Sequence, residues 1–327
     1  MNGSPSKGGT APRTSSPSGP SGRVRFSHRV QYGLYRALAG LARALPEGAA
    51  LALGSGIGWF AGSVLRIRRR VVDENLARAF PDREAPWRRS VALGAYRHLG
   101  RQGVILLRLA RMGADAVRER TEVEGLEQVK EALSRGRGVV FATGHLGNWE
   151  IGGASVTVRD LPLAVVARRQ KNPLFDAHIS RTRAALGMRV IYRADALREG
   201  IRTLRAGGAI ALVADQNARA GGVFVDFFGV PASTARGPAV LALRTGSLMV
   251  LAGATALPDD PGRYRVRLHP LSPPDTGDPD EDVRLLTRAY MGALEEMIRE
   301  APEQYFWLHR RWKTRPVTVP EPASRGD

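Results

Sequence analysis

The segment Gly138-Val-Val-Phe-Ala-Thr-Gly-His-Leu-Gly-Asn-Trp-Glu150 carries the residues best suited to acid–base chemistry. An apolar, strand-like run leads into a glycine-bracketed turn that holds His145, and a helix is predicted from about Asn148. Open α/β sheets place their sites at the carboxyl ends of strands, which is where His145 would sit. Glu150 follows five residues later. On one continuous helix that offset would set the two side chains about 140° apart. With His145 in the turn and Glu150 in the first helical turn, the carboxylate can fold back to the imidazole. A carboxylate on one ring nitrogen fixes the tautomer and raises the basicity of the other. That makes a general base without a nucleophile of its own. A capped helix start with a hydrogen-bonded histidine has the same H-x4-E spacing, so spacing alone leaves both readings open.

Other chemistries find little support. The chain has no cysteine, which excludes a disulfide scaffold, a thiolate nucleophile and thiolate metal sites. It lacks a G-x-S-x-G elbow and a G-x4-G-K-[ST] loop, and Gly54-Ser-Gly-Ile-Gly58 lies inside an apolar run and fails G-x-G-x-x-G. No second histidine accompanies the H-x4-E pair as in a zincin, so metal catalysis is not expected. No prosthetic cofactor is implied. Asp215 follows the apolar run Ala209–Ala214, again at a strand end. It reads as a carboxylate set behind the reacting groups or orienting a bound substrate, or as an ordinary helix N-cap.

The elements that must position these residues follow from hydrophobic periodicity. Of the first 22 residues, fifteen are Gly, Ser or Pro, so residues 1–25 are expected to be a disordered tail, as are 319–327. Residues 26–112 read as a helical, membrane-associating region. Within it, Gly48–Leu65 is an uncharged run that is closed by Arg66, Arg68, Arg69 and Arg70. As a helix that run reaches ~27 Å, just short of a ~30 Å hydrocarbon core. Its five glycines suit close helix packing. A buried helix and a membrane-seated segment both fit. Further helices are predicted near 71–80 and 85–112. From residue 113 to 318, short β-rich runs at 139–141, 163–167, 190–192, 209–214, 248–251 and 264–268 alternate with helical stretches. This predicts a single α/β domain with a mostly parallel sheet flanked by helices. Gly229 is expected to make a tight turn.

Basic residues exceed acidic ones by 18, and only four of the 49 are lysine. Coding bias explains the choice of arginine but not the excess, which favours an anionic partner such as phosphate headgroups, an acidic carrier protein or nucleic acid. The arginines are spread along the whole chain, so no specific nucleic-acid site is expected. In the block Trp307 to Arg315, aromatic residues mix with His309, Arg310, Arg311, Lys313 and Arg315, a composition that suits a membrane interface or a solvated basic stretch. No catalytic role follows for His309. Phe227 and Phe228 are candidates for lining an apolar substrate groove, with core packing the alternative.

The chain resembles the late acyltransferases of lipid A biosynthesis, within the wider lysophospholipid acyltransferase group. The resemblance runs over roughly residues 70–315. It rests on Asn75-Leu-Ala-Arg-Ala-Phe-Pro81, the His145 block, Arg168 with Asn172-Pro-Leu174, Ala214-Asp-Gln216, Asp226-Phe-Phe-Gly-Val-Pro231 and Pro302 through Pro316. Its H-x4-D/E dyad falls on His145 and Glu150. The resemblance implies that His145 takes a proton from a lipid hydroxyl, that the oxygen attacks an acyl thioester, and that Glu150 orients the imidazole. Arg168 would lie near the site, on an acceptor phosphate or a tetrahedral oxyanion. Gln216, Arg183, Arg310 and Arg311 would contact substrate. The implied donor is an acyl-carrier protein or acyl-CoA. The implied acceptor is a lipid A precursor or related glycolipid, or in relatives a phosphatidylinositol mannoside or lysophospholipid. The implied location is the cytoplasmic face of a bacterial inner membrane, by peripheral contact or a single anchor. Asn217 stands where the lipid A branch often carries Asp.

Overall fold

The computed structural model describes residues 24–316, so the two expected tails fall almost wholly outside the described residues. Five helices come first: α1 (Phe26–Ala44), α2 (Glu47–Ser63), α3 (Arg69–Ala79), α4 (Ala85–Leu109) and α5 (Ala114–Glu119). Strands then alternate with helices through β1 (Thr121–Glu124), α6 (Leu126–Ser134), β2 (Val139–Gly147), α7 (Trp149–Thr157), β3 (Leu163–Ala167), α8 (Pro173–Ala185), β4 (Met188–Tyr192), α9 (Ala196–Arg205) and β5 (Ala209–Val213). A hairpin of β6 (Gly222–Phe227) and β7 (Val230–Ala235) precedes α10 (Gly237–Thr245), β8 (Leu248–Ala256), β9 (Tyr264–Leu271) and α11 (Pro279–Glu300).

Seven strands form one sheet in the order β1-β9-β8-β2-β5-β3-β4, and every neighbouring pair is parallel except β8 with β9. All six apolar runs read as strands enter it. Central strands of a parallel sheet are covered on both faces, which is why they are continuously apolar. Side chains alternate accordingly. Val140, Ala142, Ile210, Met249 and Leu251 join a core with α3, α10 and α11. Val139, Phe141, Ala209 and Val250 join a second core with α5, α6 and α7. The single domain with a mostly parallel sheet between helices is the expected architecture.

The hairpin turn is Phe228-Gly229, with φ of 55° and 69°. Two consecutive positive φ values match the right-handed twist of the strands. Gly229 adopts this conformation freely, whereas Phe228 is strained there. Phe228 is held by its N–H donating to Glu295 Oε2 and by its ring packing on Phe80 and Trp307.

The glycine-rich run becomes α2, which uses one face for packing. Gly54, Gly58 and Gly62 lie buried against Tyr96, Gly100 and Val104 of α4, and a Cβ on Gly100 would collide with the carbonyl of Gly54. The opposite face leaves Leu53, Ile57, Trp59 and Phe60 exposed. Among the described residues no helix is long and apolar enough to cross a membrane. Gly100→Leu must push the helices apart, at a cost of about 1–3 kcal/mol, so differential scanning fluorimetry should show Tm lower by several degrees. Gly103→Leu, on the same helix but facing open space, should leave Tm within about one degree.

Candidate active site

His145 lies on a distortion of β2. The pairing with β8 runs in register from Val139 to Thr143 and resumes at Gly147 opposite Ala254, with a shift between. Gly144, His145 and Leu146 are thereby lifted out of the ladder, as bulges beside active sites commonly do. The two flanking glycines are required by space. A Cβ on Gly144 would press into Leu294 and come within 3.3 Å of Asp215 Oδ2. Gly147 has φ of +59° and would drive a Cβ into the carbonyl of Ala254. Asn148 then caps α7, accepting from the Ile151 N–H at 3.0 Å.

The released backbone of His145 finds new partners. Its N–H donates to Asp215 Oδ2 at 2.8 Å, and its carbonyl accepts from the Phe306 N–H at 3.0 Å. The imidazole Nδ1 bonds Asp215 Oδ1 at 2.7 Å. Asp215 follows β5, the neighbour of β2 in the sheet, so the pair spans the carboxyl ends of adjacent parallel strands. Asp215 is 1% exposed. Burial pulls the His145 pKa down, but the charge and hydrogen bond of Asp215 outweigh it, and the net shift is upward. Burial raises Asp215, and the His145 charge with its two hydrogen bonds reverses this, leaving the carboxyl below its usual range. An Nδ1–H donated to a carboxylate leaves Nε2 as the unprotonated, accepting nitrogen. Gln216 presents its amide nitrogen to Nε2 at 3.3 Å, while Trp149 packs edge-on against the ring at 4.8 Å.

The expected hydrogen bond from Glu150 to His145 is not formed. Glu150 sits in the first turn of α7, but its carboxylate is taken by Arg183 of α8, with Nε donating to Oε2 at 3.0 Å and Nη2 to Oε1 at 2.5 Å. The guanidinium fork matches both oxygens at once, which a single imidazole nitrogen cannot do. The pair is largely buried and ties α7 to α8 beside an apolar slot of about 70 Å³ lined by Phe141, Trp149, Val156, Val165 and Val213. A larger cleft of about 820 Å³, between α2, α4 and the β8–β9 loop, contains neither His145 nor Asp215, and its Arg101, Arg120 and Arg263 are balanced by Glu47, Glu119 and Asp260. The smaller slot is not lined by His145 or Asp215 either, but it is bounded by Trp149, which packs on the His145 ring.

Arg168 emerges exposed from the end of β3, on the same sheet edge as His145 and Asp215. Phe227 and Phe228 are core residues, 0% and 6% exposed, and do not line a groove. The C-terminal block separates in two. Arg310, Lys313 and Arg315 face solvent, but Trp307, Arg311 and Trp312 are buried, so the mixed aromatic–basic surface expected there does not exist. Arg311 cannot touch a substrate from its position: its guanidinium donates to the Ser233 carbonyl and Thr234 Oγ1, over the ring of Phe227. A buried cation must spend its donors internally. His309 receives a role the sequence did not reveal, its Nε2 accepting from the Asn217 N–H at 3.0 Å. Among the described residues no group of three His, Cys, Asp or Glu side chains is placed to hold a metal ion.

The family model for bacterial lipid A biosynthesis acyltransferase matches residues 20–314. The chain is 30% identical to the lipid A biosynthesis lauroyltransferase of Escherichia coli K12, covering 84% of this chain and 89% of the relative. It is 32% identical to the palmitoleoyltransferase of the same organism, over 81% and 85%. It is also 28% identical to the phosphatidylinositol mannoside acyltransferase of Mycolicibacterium smegmatis, over 89% and 94%. With His145 paired to a buried Asp215 at the carboxyl edge of a parallel sheet and likeness along nearly the whole described chain, this protein belongs to the bacterial lipid A biosynthesis acyltransferase family.

Proposed function

We propose that the protein moves a fatty acyl chain from an acyl thioester, carried by acyl-carrier protein or CoA, to a hydroxyl of a lipid A precursor or related glycolipid. The observation that carries this reading is the bond from His145 Nδ1 to the buried Asp215, which leaves Nε2 as a positioned base. Nε2 takes the proton of the acceptor hydroxyl as its oxygen attacks the thioester carbonyl. The C–S bond then breaks, and the imidazolium returns the proton to the leaving thiolate, yielding an ester and a free thiol. Asp215 holds the ring and stabilises the imidazolium. Arg168, on the same edge, supplies positive charge for an acceptor phosphate or the tetrahedral oxyanion. The Glu150–Arg183 pair fixes α7, and through it Trp149, against the imidazole. The apolar slot adjoining Trp149 takes the start of the acyl chain.

A membrane surface is the natural place for such substrates. On α1, Phe26, Val30, Leu34, Leu38 and Leu41 recur at helical spacing and are all exposed, with Arg25, Arg29 and Arg36 exposed beside them. An apolar stripe with a basic flank lies in the plane of an anionic interface. This supports peripheral docking at the cytoplasmic face of the inner membrane. The docked helix rests on α8, where Asn172 donates to the His28 carbonyl at 3.0 Å and Tyr35 packs on Phe175 at 4.8 Å.

Labelled acyl-carrier protein and acyl-CoA, offered in detergent–lipid micelles with a lipid A precursor or phosphatidylinositol mannoside, should transfer label to one lipid with wild type and to none with His145→Ala. Asp215→Asn should lower kcat by about 10²–10⁴-fold. A base must be deprotonated to act, and Asp215 raises the His145 pKa. Wild-type kcat/KM should therefore fall with acid through a pKa above 6.5, and Asp215→Asn should move that limb to lower pH. Full activity in Asp215→Asn with an unmoved limb removes Asp215 from the mechanism. Separately, Leu34→Asp with Leu38→Asp should abolish co-sedimentation with anionic vesicles while leaving transfer to a short-chain, micelle-soluble acceptor intact. Undiminished sedimentation would place the membrane contact elsewhere.

A further inference from the structure

Asn75 of α3 is 3% exposed and hydrogen-bonds neither His145 nor Asp215. Its amide nitrogen donates to the carbonyls of Trp307, at 2.7 Å, and His309, at 2.6 Å. Carbonyls only accept, so both amide hydrogens are committed and the orientation of the amide is unambiguous. The segment they hold touches both halves of the dyad. On one side the Phe306 N–H donates to the His145 carbonyl, and Tyr305 pairs with Leu146 in an antiparallel bridge. On the other, His309 Nε2 accepts from the Asn217 N–H, two residues beyond Asp215. Thr314 closes that end, exchanging bonds of 2.9 and 3.0 Å with the Asn217 side chain. Residues 305–314 thus form a strap joining the bulge of β2 to the loop after β5.

We propose that Asn75 is a positioning residue of the dyad, setting through this strap and His309 the separation of the His145 bulge from the Asp215 loop. This rests on the reading of His145 and Asp215 as the base and its orienting carboxylate. The two residues lie beyond the β2–β5 ladder, whose last bond runs from the Ala214 N–H to the Thr143 carbonyl at 3.0 Å, and past that bond the bulge and the loop need a further link. The strap supplies it, and Asn75 is its fixed point on the helical layer. Burial lowers the His309 pKa, which keeps its Nε2 unprotonated and able to accept. Catalytic groups need placement within about 0.5 Å, and a 1 Å error can cost about 10²-fold.

The test uses the full chain in micelles. Asn75→Ala should lower kcat about 10- to 100-fold with KM for the acyl donor within about threefold, and should broaden or shift the downfield Nδ1–H resonance of His145 while the protein stays folded at assay temperature. His309→Leu should behave alike. His309→Gln, whose amide oxygen can accept the Asn217 N–H, should recover kcat to within about threefold of wild type. Should Asn75→Ala not fold, the two His309 variants decide. Equal turnover in both, or a kcat loss with the His145 resonance unmoved, overturns the proposal. Asp215→Asn separates the two levels. If it is inactive while Asn75→Ala and His309→Leu turn over normally, only the strap is wrong. If Asp215→Asn is fully active, the dyad itself is wrong.

Discussion

The structure is organised around one buried carboxylate. Removing an ion from water costs several kcal/mol unless its lone pairs are met, and Asp215 meets this by bonding the same residue twice, through the ring and the backbone of His145. Those two bonds dictate much of what surrounds them. The His145 N–H is available only because β2 bulges, the bulge is possible only with Gly144 and Gly147, and Asp215 can come so close only because Gly144 has no side chain. The buried Arg311 adds positive charge felt at Asp215. Tyr305, buried nearby with its pKa pushed well up, stays a neutral hydroxyl.

This arrangement places rigidity and adaptability in different parts of the molecule. The dyad is braced by two strand ends, the strap and α11, all within a packed core. The N-terminal helices instead spend much of their apolar surface outward. Contiguous exposed apolar area of this kind is uncommon on a monomer in water and marks a contact surface. Because α1 also rests on α8, whose Arg183 holds Glu150, the contact surface and the wall of the site share one helix. The Arg183–Glu150 pair lies largely inside, whereas Arg25, Arg29 and Arg36 stand exposed beside the apolar stripe of α1.

Glu150 shows how a correct local pattern can point to the wrong partner. His145 and Glu150 are both at the site, and their spacing allows them to meet. What the spacing cannot register is competition. Arg183, 33 residues on, offers two parallel donors to the carboxylate, and Asp215, 70 residues on, offers the imidazole a neighbour already buried beside it. The terminal block misled for a related reason, since Trp307, Arg311 and Trp312 have the composition of an interface but fill the core between the hairpin and α11.

The sequence by itself determined the alternating strands and helices, the single sheet, the tight turn at Gly229 and the placing of His145 and Asp215 at strand ends, because these follow from periodicity and from the backbone freedom of particular residues. It missed β1, a short polar edge strand, and the β6–β7 hairpin, whose residues read equally well as loop. Only the tertiary structure decided that β5 lies beside β2, and therefore that Asp215 rather than Glu150 supports His145. It alone decided that Asn75 and His309 belong to the site's supports. Strand order and buried partner choice are set by the packing of residues far apart in the chain, where many local patterns compete for the same polar groups and only the fully satisfied combination is stable.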